Sequence, residues 1–475
     1  MTRKTDLVII GAGTAGLTAL KEARRYTEDV VLINDGPLGT TCARVGCMPS
    51  KALLAVAHAY HRRAFLREAG VHGTQDLSVD LPAVLRRVRS LRDGFIAGPI
   101  KTAESLGERF IDGAPRFLDA NTLEVRGQRI ETRATVIATG SDPIVPKAWA
   151  ALGDRVLTSD TLFEQPDLGR RAAVVGLGGI GSELGQALAQ VGLEVHGFNL
   201  DETVAGLTDP EISAAMAEAL QADMTVSLGA EAALEHTPAG TVRVSAGGGE
   251  WEVDWVLAAL GRRPNLRGLG LDLLPVDLDA RGMPAFDPDT LRLGDLPVYI
   301  AGDVNALRPL MHEAADQGRV AAYHALNPGS ECLAKRAPLG IVFTEPNAAR
   351  VGLPFAQLPQ GRCVVGAADF RRQPRALMAD RNAGRLHVYA DREDGRILGA
   401  EMAVPDGEHL AHLLAWAIQQ GLALDDALQL PFYHPVTAEG LRSALQHARR
   451  QLGERHDRPD LPLCHEAADW ALGGD

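Results

Sequence analysis

Two cysteines five positions apart, Cys42 and Cys47, lie in the stretch 39–51, GTTCARVGCMPSK. The run Ala52 to Ala57 that follows consists of good helix formers. Pro49 is tolerated only in the first turn of such a helix, which places Cys47 at or just before its N-terminus. There the positive end of the helix dipole lowers a thiol pKa. Cys42 lies on the turn feeding the helix, within bonding reach of Cys47. One low-pKa sulfur, one partner in reach and little intervening chain are what a redox-active dithiol requires. Two other readings fit the stretch alone. His58 and His61 complete a loose imitation of a zinc spacing, Cys-x4-Cys-x10-His-x2-His. Two cysteines in a long chain can also be neighbours by chance. An iron–sulfur cluster needs a third cysteine close by, and the next is Cys332.

The elements that must position this stretch begin at residues 7–10, LVII, an apolar run typical of a buried parallel strand. Gly11, Gly13 and Gly16 follow at once, and Leu17 to Tyr26 reads as a helix. That order fits the dinucleotide fingerprint: glycines for a tight turn, for backbone approach to a pyrophosphate and for helix–strand packing. The next strand, 30–33, ends on Asn34 and Asp35, where an acid would hold an adenosine ribose. A second cycle starts at 172–175. Gly176, Gly178 and Gly181 open a helix carrying Glu183 and Gly185, and the strand Glu194 to Asn199 follows. Two complete strand–GxGxxG–helix units imply two dinucleotides. After Asn199 come Asp201 and Glu202, with no basic residue before Arg243. Two acids repel a 2′-phosphate, so NAD is favoured and NADP is not excluded.

At 475 residues the chain has room for about three domains. Its 46% hydrophobic and 23% charged residues suit a globular enzyme. A formal net charge of −13 disfavours nucleic acid or an anionic membrane as partner. No apolar run approaches the length of a membrane span, and the N-terminus runs into a strand without the apolar segment of a signal peptide. Five cysteines, an odd count, suit a reducing compartment. A cytoplasmic protein is expected.

Further along, Leu81 to Leu106 reads as an amphipathic helix and 110–130 as β-rich. A buried strand over 134–139 closes on Gly140, and Pro143 and Pro146 mark a linker. Gly261 sits in a turn after another strand. Residues 297–303 form a strand ending in Asp303, ahead of a helix from Met311 to Leu326. The last part mixes strands (Ile341 to Thr344, Arg385 to Tyr389) with helices (Glu408 to Gln420, Thr437 to Leu452). The end, from Glu454, is polar and expected to be mobile apart from Trp470.

Taken together, GAGTAG at 11–16, CARVGCMPSK at 42–51, VIATGS at 136–141, GLGGIGSELG at 176–185, LGRRPN at 260–265, VYIAGDV at 298–304 and HPVTAE at 434–439 resemble one family. It is the FAD-dependent pyridine nucleotide–disulfide oxidoreductases, and the likeness is greatest to its dihydrolipoamide dehydrogenase branch. The zinc reading recedes with it. The resemblance implies an α/β chain with two Rossmann-like dinucleotide-binding domains, for FAD and NAD, plus a C-terminal α+β dimerisation domain. The boundaries expected are 1–148 and 268–330 for FAD, 149–267 for NAD, 335–453 for dimerisation and 454–475 for a tail.

The same resemblance assigns roles. Cys47 would face the flavin in a charge-transfer contact or adduct, and Cys42 would exchange with the substrate. Lys51 would sit near flavin N5, paired with Glu183, and Asp303 would bind the ribityl chain. Gly11, Gly13, Gly16, Asn34 and Asp35 would belong to the first dinucleotide site, Gly176, Gly178, Gly181 and Asn199 to the second, and Thr139, Gly140, Gly261, Gly302 and Met311 would be further cofactor contacts. His434 and Glu439 would act as an acid–base pair delivered by the other subunit of a homodimer: an imidazole moves the thiol proton and a carboxylate fixes its tautomer. Electrons would pass from a small dithiol, dihydrolipoamide or similar, to Cys42–Cys47, to FAD and to NAD. Membership of a 2-oxo acid dehydrogenase complex stays open.

The chain departs from the family pattern at Asn34, at Asn199, at Asn347 where a Glu is common, at Phe432 and Tyr433 before His434, and in carrying a single tail cysteine, Cys464, beside His465. These lie around nucleotide and substrate sites and leave the substrate open. The alternatives are a reductase of the same build for another disulfide or a metal ion, and an FAD-binding protein without turnover. The intact set Cys42, Cys47, Lys51, Glu183, His434 and Glu439 argues against the latter.

Overall fold

The fold is described from a computed structural model, covering residues 2–453 and 459–462. Cys464, His465 and Trp470 fall outside the described residues. The chain divides into two compact units, one built from 1–56, 78–169 and 257–335, the other from 57–77, 170–256 and 336–475.

In the first unit, strand Thr2–Ile10 lies in parallel between Val30–Asn34 and Gln128–Ile137, with Leu7 level with Val30 on one side and Ala134 on the other. Phe110–Asp112 and Val298–Ile300 extend this sheet in parallel. Residues 7–10 and 30–33 are almost wholly buried, which is why they read as continuous apolar runs rather than alternating ones. The first glycine-loop helix is Thr14–Ala23, beginning three residues before the expected start because Gly16 belongs to its first turn. It packs against Met311–Leu326 so closely that a Cβ on Gly318 would stand 2.2 Å from the Ala15 carbonyl oxygen. The expected amphipathic helix is Leu81–Glu104, opened by the Asp80 side chain accepting from Ala83 N–H.

The second unit contains the other fingerprint. Strands Arg171–Val175, Glu194–Phe198 and Thr225–Ser227 are parallel neighbours in that order, and helix Gly179–Gln190 follows the first of them. The same unit holds an antiparallel sheet ordered Leu339–Val342, Asn347–Gly352, Ile397–Val404, Arg385–Asp391, Cys363–Asp369. Helix Gly407–Gln419 and helix Ala438–Gln451 bury their apolar faces against it. At Gly366 an added Cβ would lie 2.1 Å from the Ala444 carbonyl oxygen, so only glycine allows the last helix so near the strand.

A buried polar joint sits within this unit. Asp209, the N-cap of helix Pro210–Asp223, accepts hydrogen bonds from His387 at 2.7 Å and Tyr389 at 2.8 Å. Burial works to raise its pKa, and these hydrogen bonds outweigh it and hold the carboxyl below its usual range. Glu401, fully buried, accepts from the backbone N–H groups of Thr208, Asp209 and Phe355.

His196, 6% exposed, stacks on Phe198 at 4.2 Å and meets Trp251 edge-on. Burial pulls its pKa down to about 4. The unfolded chain takes up this proton near the ordinary value of about 6.5. Stability from the neutral imidazole is therefore complete above that pH and is lost as pH falls toward 4. The loss is on the order of 2 kcal/mol once solvent screening is allowed for. In thermal melts across that range, His196→Phe should show a shallower acid-side decline than the wild-type protein; parallel curves would refute the assignment.

Candidate active site

Residues 41–44 form a single helical turn, capped where Ala43 N–H donates to Thr40 Oγ1. Helix Cys47–His61 starts two residues later, with Cys47 as its first residue. Gly46 joins them. A Cβ there would press to 3.2 Å from the Thr41 carbonyl oxygen and 3.3 Å from Cys42 Cα. Val45 and Gly46 link the two elements, and the glycine lets them approach closely. Both cysteines are half-buried. The Cys42 pKa is pushed up, first by the hydrogen bond to Cys47 and then by burial. These effects favour the protonated form of Cys42, while the helix N-terminus favours negative charge on the sulfur of Cys47. His58 stands eleven residues along the same helix, a rise of about 16 Å from Cys47. His61 faces Asp223 at 3.5 Å.

The first glycine loop has the features an FAD pyrophosphate needs. Helix Thr14–Ala23 has Gly13 as N-cap and no side-chain cap, so its first N–H groups are not covered by a capping side chain. A Cβ on Gly13 would meet nothing within 4 Å, whereas one on Gly11 would strike the Ala138 carbonyl oxygen at 2.3 Å and one on Gly16 the Gly11 oxygen at 1.8 Å. One glycine leaves space for a ligand and the other two allow backbone contact. Gly178 caps helix Gly179–Gln190 in the same bare manner, and Gly176 has φ +95.

Asp303 and Gly140 come together in the first unit, because Ser141 Oγ donates to Asp303 Oδ2 at 3.0 Å. Gly302 N–H donates to Gln317 Oε1 at 2.7 Å. Thr139 Oγ1 donates to the Asn265 carbonyl at 2.6 Å, tying VIATGS to LGRRPN. Gly261 holds φ +97, and its carbonyl accepts from Ile144 N–H. Asp35 is exposed, and Met311, half-exposed, opens its helix. Arg262 is a residue that sequence reasoning did not single out. It grips Ser141 through Nε at 2.9 Å and Nη2 at 2.6 Å, and Asp160 through Nη1 at 3.2 Å. The only signal for it is its place within LGRRPN; Ser141 and Asp160 are more than a hundred positions away.

In the second unit, His434 Nδ1 and Glu439 Oε1 are 2.9 Å apart, and Val436 N–H donates to Glu439 Oε2 at 3.2 Å. The hydrogen bond with His434, followed by that of Val436, holds the Glu439 carboxyl below its ordinary range. The other imidazole nitrogen is thereby left to face outward, and the His434 side chain is 76% exposed. Glu183 is buried on helix Gly179–Gln190 and accepts from Phe343 N–H at 3.0 Å. Lys51 follows Cys47 by one helical turn, with Nζ 3.4 Å from Ser50 Oγ. Asn34 and Asn199, expected near ribose groups, hydrogen-bond their own glycine loops: Asn34 Oδ1 accepts from Ala12 N–H and Asn199 Oδ1 from Leu177 N–H.

Among the described residues no group of three or more His, Cys, Asp or Glu could hold a metal ion, and no helix is long and apolar enough to cross a membrane.

Known proteins resemble this arrangement throughout. The dihydrolipoyl dehydrogenase of Haloferax volcanii is 30% identical over 463 residues, covering 94% of this chain and 97% of that protein. A mercuric reductase of Bacillus cereus is 30% identical over 452 residues, covering 93% and 71%. Among solved structures, LpdA from Mycobacterium tuberculosis superposes with a TM-score of 0.79 at 26% identity, covering 94% of this chain and 99% of that one. The Cu(II) complex of the HOCl-induced flavoprotein disulfide reductase RclA from Escherichia coli gives 0.81 at 22%, with the same coverage. The family profile for pyridine nucleotide-disulphide oxidoreductases matches residues 5–318, and the profile for their dimerisation domain matches 339–445. With both profiles matched in order and fingerprint loops shaped for two dinucleotides, the chain belongs to the pyridine nucleotide-disulphide oxidoreductases, FAD-dependent enzymes that exchange electrons with NAD(P).

Proposed function

We propose that the protein is a homodimeric dihydrolipoyl dehydrogenase-like enzyme that oxidises a small dithiol and passes two electrons to NAD. The observation that carries this reading is the unequal cysteine pair. Cys42 is the sulfur whose proton is hard to remove, and Cys47 is the one at the helix N-terminus. In the oxidised enzyme the two are joined as a disulfide. A substrate thiolate attacks Cys42 sulfur, the Cys42–Cys47 bond breaks, and Cys47 leaves as the thiolate that its position favours. The second substrate thiol then attacks the mixed disulfide at the substrate sulfur. Cys42 departs, and the substrate leaves as a disulfide. One S–S bond is lost and one gained, and two electrons have moved to the enzyme. A flavin bound at the first fingerprint supplies the two-electron link onward to the nicotinamide.

His434, supplied by the partner subunit as the resemblance implies, accepts the substrate thiol proton and returns one to Cys42. Glu439 keeps the imidazole in the tautomer that can do so. Residues 1–148 and 268–330 would carry FAD, 149–267 the nicotinamide nucleotide and 335–453 the dimer contact. Lys51 and Glu183 would balance charge beside the flavin.

A second reading, reduction of another disulfide or a metal ion, is favoured by the mercuric reductase of Bacillus cereus matching at the same 30% identity. Lipoamide, glutathione disulfide and Hg(II), each assayed with NADH and with NADPH, separate the two. The proposal expects dihydrolipoamide with NAD to be the best pair; turnover of lipoamide no better than of the other acceptors would defeat it.

Cys42→Ser should lower lipoamide turnover by on the order of 10³ or more; unchanged turnover would remove the dithiol from the mechanism. His434→Gln should cost on the order of 10²-fold in dithiol exchange, and Glu439→Gln less, because the imidazole remains. Reduction of the enzyme by NADH in the absence of dithiol should stay at the wild-type rate in both. An equal loss in the two half-reactions would rule out an acid–base role confined to thiol exchange.

A further inference from the structure

The two glycine loops share a device. In each, an asparagine follows the second strand of the fingerprint by its last or next residue, twenty-two positions after the loop residue it binds. Asn34 Oδ1 accepts from Ala12 N–H at 2.9 Å, and its Nδ2 donates to the Gly36 carbonyl at 2.9 Å. Asn199 Oδ1 accepts from Leu177 N–H at 2.8 Å, and its Nδ2 donates to the carbonyls of Asp201 at 3.1 Å and Thr203 at 2.8 Å. Both Nδ2 protons of Asn199 and one lone pair of its oxygen are therefore used. The clamp needs a side chain that accepts on one side and donates on the other. An amide does this and an ionised carboxylate cannot.

We propose that Asn199 is a positioning residue that clamps the second glycine loop to the turn after its strand, and that selection of the nicotinamide nucleotide falls to Asp201 and Glu202. This rests on the reading of the second fingerprint as the NAD(P) site. No lysine or arginine occurs between Arg171 and Arg243, a span that includes the whole loop, its helix and the strand end. The span therefore offers no lysine or arginine to pair with a 2′-phosphate, while two exposed acids follow the clamp. Gly229 leaves room for one of them: an added Cβ there would lie 2.3 Å from Glu202 Oε1. Repulsion of the 2′-phosphate, rather than a carboxylate gripping the ribose, would discriminate against NADP.

Calorimetric titration of the flavin-loaded protein with ADP-ribose and with 2′-phospho-ADP-ribose tests this without turnover. Wild-type protein should prefer ADP-ribose by roughly 10-fold, and Asp201→Asn with Glu202→Gln should narrow the preference to about 3-fold or less. Asn199→Ala should weaken both ligands by the same factor and leave their ratio unchanged. Flavin content and melting temperature monitor folding, and Asn199→Ser replaces the alanine variant if the latter does not fold. A selective loss of ADP-ribose binding in Asn199→Ala would overturn the assignment and make Asn199 a ribose ligand. Wild-type protein that binds neither ligand would overturn the nucleotide reading of the site and the assignment with it.

Discussion

The hydrogen bond between Cys42 and Cys47 is the contact that the surrounding backbone is shaped to allow. It requires a four-residue helical turn and the start of a 15-residue helix to lie close together, with Gly46 at the junction. Any larger residue would press on the Thr41 carbonyl and the Cys42 backbone. Once the sulfurs are adjacent, their environments make them unequal. Cys47 lies at the positive end of a 15-residue helix, and Cys42 is buried and hydrogen-bonded to it. Within the other unit, His434 and Glu439 form a local pair in which the hydrogen bond lowers the Glu439 carboxyl pKa and the imidazole stays exposed.

Close backbone approach recurs wherever the fold supports these groups. Gly318 lets helix Met311–Leu326 touch Ala15, and Gly366 lets helix Ala438–Gln451 rest on its strand. The former seats the first glycine loop and the latter seats the helix that carries Glu439. In both cases the missing side chain converts a steric barrier into van der Waals contact. Buried polar groups then fix the orientation of the pieces. Asp209 and Glu401 join the nucleotide-binding segment to the antiparallel sheet of the same unit through hydrogen bonds, each acceptor satisfied by several donors. Removing one partner would leave a buried charge short of donors, which costs more than the bond itself contributes.

Local chemistry made much of this legible in the sequence. The helix start at Cys47 follows from Pro49 and the helix formers behind it. The buried strands follow from apolar runs at 7–10 and 30–33, and the bare helix N-termini follow from the glycine spacing. These are short-range effects, carried by residues within one or two turns of each other. The pairing of His434 with Glu439 is also local, five positions apart, and the resemblance implies the pair that the 2.9 Å contact joins.

What only the tertiary structure decided are contacts between residues far apart in the chain. Arg262 is unremarkable in sequence, and it becomes a fixing point only because strands 141–143 and 262–264 pair. Asn34 and Asn199 stand where a ribose ligand is expected, and the fold shows that their amides also bind their own glycine loops. Spacing identifies a position, but it does not say which of several hydrogen-bond partners a side chain will choose. That choice depends on which donors and acceptors the folded loops leave within 3 Å, and the loops acquire those places only when the sheet has formed. The sequence alone therefore determined the redox dithiol motif, the two fingerprints and the family; the fold decided how the polar groups around them are spent.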